Sequence, residues 1–364
     1  MKRRMVIFMV GLFVSTSLMT ACGKKNEATQ ASSKSEETEK EGSGESVADP
    51  EETEAADGEE EIKPQIAVLL PGSSVDKRWR MDADVFRKGL GDKGYQVMIR
   101  YATGNALTQE EQILSIAAQE RPVEAMVIAP VDPWGLTSTL ETVSEKKIPV
   151  FSYDDLIMDT DAVSYYVTFD TRQEGQRLGN RIIEDLELEK KQKEGERASI
   201  RLYSFEPQDS SELFLYNGLR ESLDPWLFDN TLIESRTSPD AICTLSKEDA
   251  FQALKQLTKR GHSPEDEDWP AIYTIGNDLE VIQKIATKEI TGTFFQDSRV
   301  LAAACTDTLL TYLEDETPEV SDYQQYDNGL RLVRSITCES EYVDQDDYQK
   351  LVDSGYYKES DITP

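Results

Sequence analysis

The sequence predicts an α/β protein of two Rossmann-like lobes, each a mainly parallel sheet covered by helices, joined by a hinge. Three observations predict it. From Ile66 onward, short apolar runs alternate with helix-length stretches at regular spacing, the pattern of βαβ units with right-handed crossovers. A second alternating set opens at Ala198. In both sets the strands stop on polar or acidic residues, at the end where open parallel sheets hold ligands.

The stretch Ile148 to Asp170 shows this most clearly. An apolar run, Ile-Pro-Val-Phe, turns abruptly into Tyr153-Asp154-Asp155, and a second run, Tyr165 to Phe169, stops on Asp170. Buried parallel strands read as continuous apolar segments. Asp154 and Asp155 therefore stand where such a sheet meets its ligand.

Upstream, strands are expected at Ile66–Leu70, Tyr95–Tyr101 and Ala125–Ala129, with helices at Asp82–Lys93, Thr108–Gln119 and Leu136–Lys146. Thr108 followed by Glu111 reads as a capping box, with Ile113, Leu114, Ala117 and Ala118 on the inner face. A helix follows at Thr171–Leu186, then a strand at Ala198–Phe205 and a polar turn, Glu206 to Ser211. Helices at Leu213–Leu223, Ser246–Arg260, Val281–Lys288 and Val300–Leu313 enclose strands at Ala271–Ile275 and Thr291–Phe295. The tail carries short strands and a helix near Tyr348–Ser354. The expected lobes are 64–168 plus 294–320 and 169–293 plus 321–364.

The N-terminus reads as an export signal. Lys2, Arg3 and Arg4 precede an apolar run too short to span a membrane comfortably, and small residues lead to Cys22. That pattern, residues 1–22, resembles a bacterial lipoprotein signal, which implies diacylation of Cys22 and stable anchoring at a membrane face. Residues 23–63 are polar, acidic and free of aromatic side chains; they cannot bury enough surface to offset chain entropy and read as a disordered tether.

Composition excludes several classes. Seventy acidic residues against 39 basic give a formal charge of -31, which argues against nucleic acid and against electrostatic binding to anionic lipid. A single histidine, His262, disfavours a His-based metal or triad site. Cys243, Cys305 and Cys338 lie far apart without a CxxC spacing; Cys305 reads as a core residue, and no pairing is assigned. No cofactor is expected.

Taken in order, the strand-end motifs resemble the type I periplasmic sugar-binding proteins, their xylose-binding and multiple-sugar-binding branch above all. Lys77-Arg78-Trp79 is similar to that branch's Arg-Trp, and Tyr153 to Ile157 to its Tyr-Asp-Arg-Leu-Ile. Tyr165 to Asp170 with Gly175, Pro207-Gln208-Asp209, Gly276-Asn277-Asp278 and Phe295 to Arg299 follow in the family's order, as do Tyr326 to Gly329 and Val352 to Tyr357. The resemblance runs from about Ile66 to Ile362. It implies a monomeric, non-enzymatic protein that holds a monosaccharide or related polyol between its lobes and delivers it to an ABC permease. The alternative partner is a membrane sensor histidine kinase. A glycosidase reading of the cleft acids finds no supporting carboxylate spacing.

The resemblance implies ligand contacts from Arg78, Trp79, Asp154 and Asp155 on one lobe. From the other it implies Asp209, Ser211, Asn277, Asp278 and Gln296. Carboxylates and amides grip hydroxyls through charge-assisted hydrogen bonds, and an indole covers a sugar face. Asp209 and Asp278 also suit helix N-caps, Asp132 and Asp170 suit the helices that follow them, and Trp134 reads as a packing residue. Departures from the family stand at Asp155 (Arg there), Ser210-Ser211 (an Asn pair), Ser246-Lys247 (Asn-Asp) and Gln296 (Lys). Residues 229–248 are short by about one strand-helix unit, so Asn277-Asp278 is an alternative match for the Asn-Asp motif.

Overall fold

The computed structural model describes residues 63–121, 123–203 and 210–362. The export signal, the tether, Cys22 and Asp209 lie outside these residues. The first half runs β1 (Gln65–Leu70), α1 (Lys77–Gly91), β2 (Gln96–Tyr101), α2 (Ala106–Ala117), β3 (Ala125–Ile128), α3 (Thr137–Glu145), β4 (Val150–Tyr153) and β5 (Val163–Phe169). The second runs α4 (Thr171–Asp185), α5 (Leu188–Glu194), β6 (Ala198–Leu202), α6 (Ser210–Phe228), β7 (Leu232–Glu234), β8 (Ala241–Cys243), α7 (Lys247–Arg260), β9 (Ala271–Ile275), α8 (Leu279–Ala286) and β10 (Gly292–Phe295). Then come α9 (Ser298–Leu313), β11 (Ser335–Cys338), β12 (Glu341–Asp344), α10 (Gln349–Asp353) and α11 (Glu359–Ile362).

The strands form two six-stranded sheets, ordered β11-β5-β4-β3-β1-β2 and β12-β10-β9-β8-β6-β7. Only β12 runs antiparallel to its neighbour among the pairings described. Alternation explains why the strands are apolar throughout. Ile66, Val68 and Leu70 of β1 enter one core, whereas Ala67 and Leu69 enter the core on the opposite face. A strand covered by helices on both sides has no solvent face to keep polar. The second sheet does the same: Ile242 and Ile272 join one core, Ala241, Cys243 and Tyr273 the other.

Several expectations need correction. The first helix starts at Lys77, so Arg78 and Trp79 lie in its first turn rather than in a loop before it. The cap of α2 is Asn105, whose side chain accepts from the Thr108 amide; Ile116 takes the inner place expected for Leu114, which is exposed. Trp134 is 61% exposed and packs into no core.

Lobe boundaries also shift. β10 belongs to the second sheet, and α9 returns to the first core through Leu301, Ala302, Cys305 and Leu309. β11 pairs in parallel with β5, so residues 335–338 belong to the first lobe and not to the second. Both strands of the shortened stretch are present as β7 and β8; what is short is the connection between them, residues 235–240. It leaves an open groove of about 770 Å³ beside β6, lined in part by Arg201, Tyr203, Arg220, Arg236, Gln252 and Gln256.

Three chain crossings join the lobes: β5 to α4, β10 to α9, and β11 to β12. The first and third are tied by the Asp170 amide donating to the Cys338 carbonyl at 3.0 Å.

Candidate functional site

On the first lobe, the carboxyl ends of β1 and β4 bring α1 and the Asp154 turn together. Asp154 has a left-handed backbone, φ 71°, uncommon for a residue with a side chain. Three hydrogen bonds fix it there. Its amide donates to the Val167 carbonyl at 2.9 Å, and its own carbonyl accepts from Tyr166 Oη at 2.8 Å and Thr168 Oγ1 at 3.0 Å. A strained residue held this firmly is a mark of functional sites. The carboxylate accepts from Arg78 Nη2.

Arg78 is shared. Its Nε lies 4.0 Å from the fully buried Asp82, and its guanidinium sits over the Trp79 ring at 4.5 Å. Burial works against the guanidinium charge, but Asp154, Tyr153 and Asp82 outweigh it and hold the group above its ordinary range. Asp82 goes the other way. Burial pushes its carboxyl up to about 6, against the pull of Arg78 and the hydrogen bond from Tyr153. Tyr153 Oη donates to Asp82 Oδ2 at 2.9 Å. Trp79 is half-buried and pressed on Gly72, where an added Cβ would lie 2.0 Å from Trp79 Cδ1. One face of the indole is thus already covered by Arg78.

Asp155 follows at the same strand end, half-buried, with its carbonyl accepting from Ser152 Oγ at 2.6 Å. Asp132 and Asp170 serve backbone. Asp132 accepts from the Trp134 amide at 3.0 Å, and Asp170 caps α4 through the Gln173 amide at 2.9 Å.

On the second lobe, Ser246-Lys247 ends β8, Gly276-Asn277-Asp278 ends β9, and Gln296 ends β10. Ser246 caps α7. Lys247 Nζ lies 2.8 Å from Asp278 Oδ1 and 3.4 Å from Glu280. Asp278 precedes α8 but makes no side-chain cap bond; its carboxylate goes to the lysine. Asn277 and Gln296 clasp each other, Nδ2 to the Gln296 carbonyl at 2.5 Å and the Gln296 amide to Oδ1 at 2.7 Å. The Gln296 side chain turns to Glu174 instead, at 2.8 Å. Ser211 is half-buried in the first turn of α6.

The C-terminal segment joins the two sets, and sequence reasoning missed its part. Lys77 Nζ lies 3.6 Å from the Tyr357 ring centroid and 4.6 Å from that of Tyr356. Tyr357 Oη donates to the Asn277 carbonyl. Met81 of α1 packs against the same second-lobe core. The start of α1 thus meets the far lobe directly. The sequence signal was the Tyr-Tyr pair after Gly355, legible as a motif but not as a bridge.

Two parallel-sheet lobes with charged and amide groups at facing strand ends, joined by three crossings, define a hinged α/β binding protein. Residues 66–235 match the periplasmic binding protein domain family. The chain is 27% identical over 330 residues to the multiple sugar-binding periplasmic receptor ChvE of Rhizobium radiobacter, covering 81% of this chain and 91% of that one. It is 23% identical to the D-xylose-binding periplasmic protein of Escherichia coli, covering 79% and 89%. Among solved structures it resembles an ABC transporter solute-binding protein from Clostridium phytofermentans with bound β-D-glucose. There the TM-score is 0.67 and the identity 27%, over 82% of this chain and all of that one. The fold is shared with a periplasmic ribose ABC transporter protein from Conexibacter woesei, TM-score 0.64 at 12% identity, covering 80% of this chain and 95% of that one. Over about four fifths of its length the chain is similar to the type I periplasmic sugar-binding proteins, and the relatives it matches are named as binding proteins and receptors.

Proposed function

We propose that the chain captures a sugar or related polyol between its lobes and delivers it to an ABC permease, while Cys22 holds it by lipid at the outer face of the cytoplasmic membrane. One observation carries the binding half: the over-determined Asp154 turn presenting its carboxylate with Arg78 and Trp79 at the carboxyl edge of the first sheet. Such a pair offers a hydroxyl both a donor and an acceptor, each charge-assisted. Asp155 and Asn277, Asp278 and Ser211 of the facing lobe are the proposed remaining contacts, together with Asp209 and the Gln296 backbone. The relatives named as sugar receptors, and the glucose-bound structure, support the ligand class. A ligand touching both lobes favours their approach only by its differential affinity for that arrangement.

Thermal-shift measurements against D-glucose, D-xylose and myo-inositol test the reading. At least one should raise the melting temperature of the wild type. The shift should vanish in Asp154→Asn, which tolerates the left-handed backbone but removes the charge. No shift across a broad panel of sugars and polyols would sink the proposal. Loss of membrane association in Cys22→Ala tests the anchor.

A further inference from the structure

Glu174 is 1% exposed in the first turn of α4, an unusual place for a lone carboxylate. It stands on the first crossing and reaches both others. Its Oε2 accepts from Gln296 Nε2, on the second crossing, at 2.8 Å. The hydroxyl of Ser340, on the third crossing, also bears on the carboxyl. Two buried atoms there lack any hydrogen-bond partner: Glu174 Oε1 and Ser340 Oγ.

We infer that Glu174 is a clasp across all three crossings, and that its protonation sets how freely the two lobes turn about them.

The charged surroundings do not neutralise the acid. Arg177, one turn along α4, attracts it, but its Nη1 is committed to the Ser340 carbonyl at 2.7 Å and its guanidinium lies over the Phe294 ring at 5.0 Å. Asp170 on the first crossing repels it. Asp297 follows Gln296 but is paired with Arg299. Glu339 and Glu341 flank Ser340, and α6, packed on α4, carries Glu212 and Glu221, the latter paired with Arg172. Burial dominates and lifts the carboxyl from 4.5 to about 7, against the hydrogen bond from Gln296 and the pull of the nearby Ser340 hydroxyl.

A raised acid penalises its own ionised form in the arrangement that buries it. The packed hinge is therefore favoured at low pH, and that advantage is lost as pH rises from 4.5 to about 7. Above that range the carboxylate gains by hydration, which requires the crossings to part. Glu174 is a positioning residue: it acts on ligand capture through the lobe angle and touches no ligand.

Small-angle scattering of the ligand-free full chain between about pH 4.5 and 8.5 tests this. The wild type should change its radius of gyration with a midpoint near the Glu174 value, and Glu174→Gln should keep the low-pH radius throughout. Gln296→Ala, which removes a donor favouring the ionised form, should move the midpoint upward and decides the matter if Glu174→Gln does not fold. A flat wild-type profile, a midpoint unmoved by Gln296→Ala, or an unchanged transition in Glu174→Gln would overturn the inference. No sugar is needed, so failure to bind one would count against the proposed function alone.

Discussion

Asp154 shows how one residue concentrates both cost and purpose. Its left-handed backbone would be relieved by glycine and not by alanine. Both Asp154→Gly and Asp154→Ala release Arg78, but the alanine variant should be less stable than the glycine variant by about 1 kcal/mol; denaturant titration of the pair isolates the backbone cost. Asp82 gives a second outcome at this scale. Its carboxyl is raised from 3.8 to about 6 by burial, so the folded state disfavours its charge. Stability attributable to Asp82 is full below the unfolded value and declines as pH rises through about 6. Relative to Asp82→Asn, the wild type should lose up to about 3 kcal/mol across that window, at 1.36 kcal/mol per pH unit. Melts at several pH values check it. The sequence made Asp154 legible, because an acid ends an apolar run. It left Asp82 as one more acid in an acidic chain, since only the fold carries it beneath Tyr153 and Arg78.

At the scale of elements, helix α4 lies on α6 through glycines. A Cβ on Gly175 would fall 2.0 Å from the Leu215 carbonyl oxygen, and one on Gly218 2.0 Å from that of Arg172. Backbone cannot yield as a flexible side chain does. Gly175→Ala should destabilise the chain by about 1–3 kcal/mol, the usual cost of overpacking, in equilibrium unfolding. Long strands and helices were legible from their periods, β9 to the residue. β7 and β8 were not, because three residues are too few to show a period. The start of α1 was missed for a related reason: Lys77, Arg78 and Trp79 are half-buried toward the other lobe and the site, not toward a core that would imprint an apolar stripe.

Across the whole molecule, the two sheets follow from the alternation of elements, whereas the crossings do not. Which lobe receives β11 depends on pairing between residues far apart in sequence, and no local pattern encodes that. The same distance hid the meeting of Glu174, Gln296 and Ser340, although Gln296 had stood out as a departure from the family. The thiols report on global integrity. Cys243, Cys305 and Cys338 are free and buried, and burial pushes Cys243 up to about 12 and Cys338 to about 11. A thiol reagent should modify none of the three in the native protein and all of them in denaturant, since the thiolate is the reactive form; mass spectrometry of the labelled chain checks it.

The abbreviated link at residues 235–240 bears on how this body comes apart. Among the described residues no helix lies between β7 and β8 in the chain, and β7 is the edge strand of its sheet, paired with β6 alone. Amide hydrogens of β7 should therefore exchange with solvent deuterium ahead of those of β8 and β9, by an opening that leaves the remainder intact. The second lobe would begin to fray at its outermost ribbon, on the side away from β10 and its crossing to α9, so that early loss of order there need not disturb the grip on a guest.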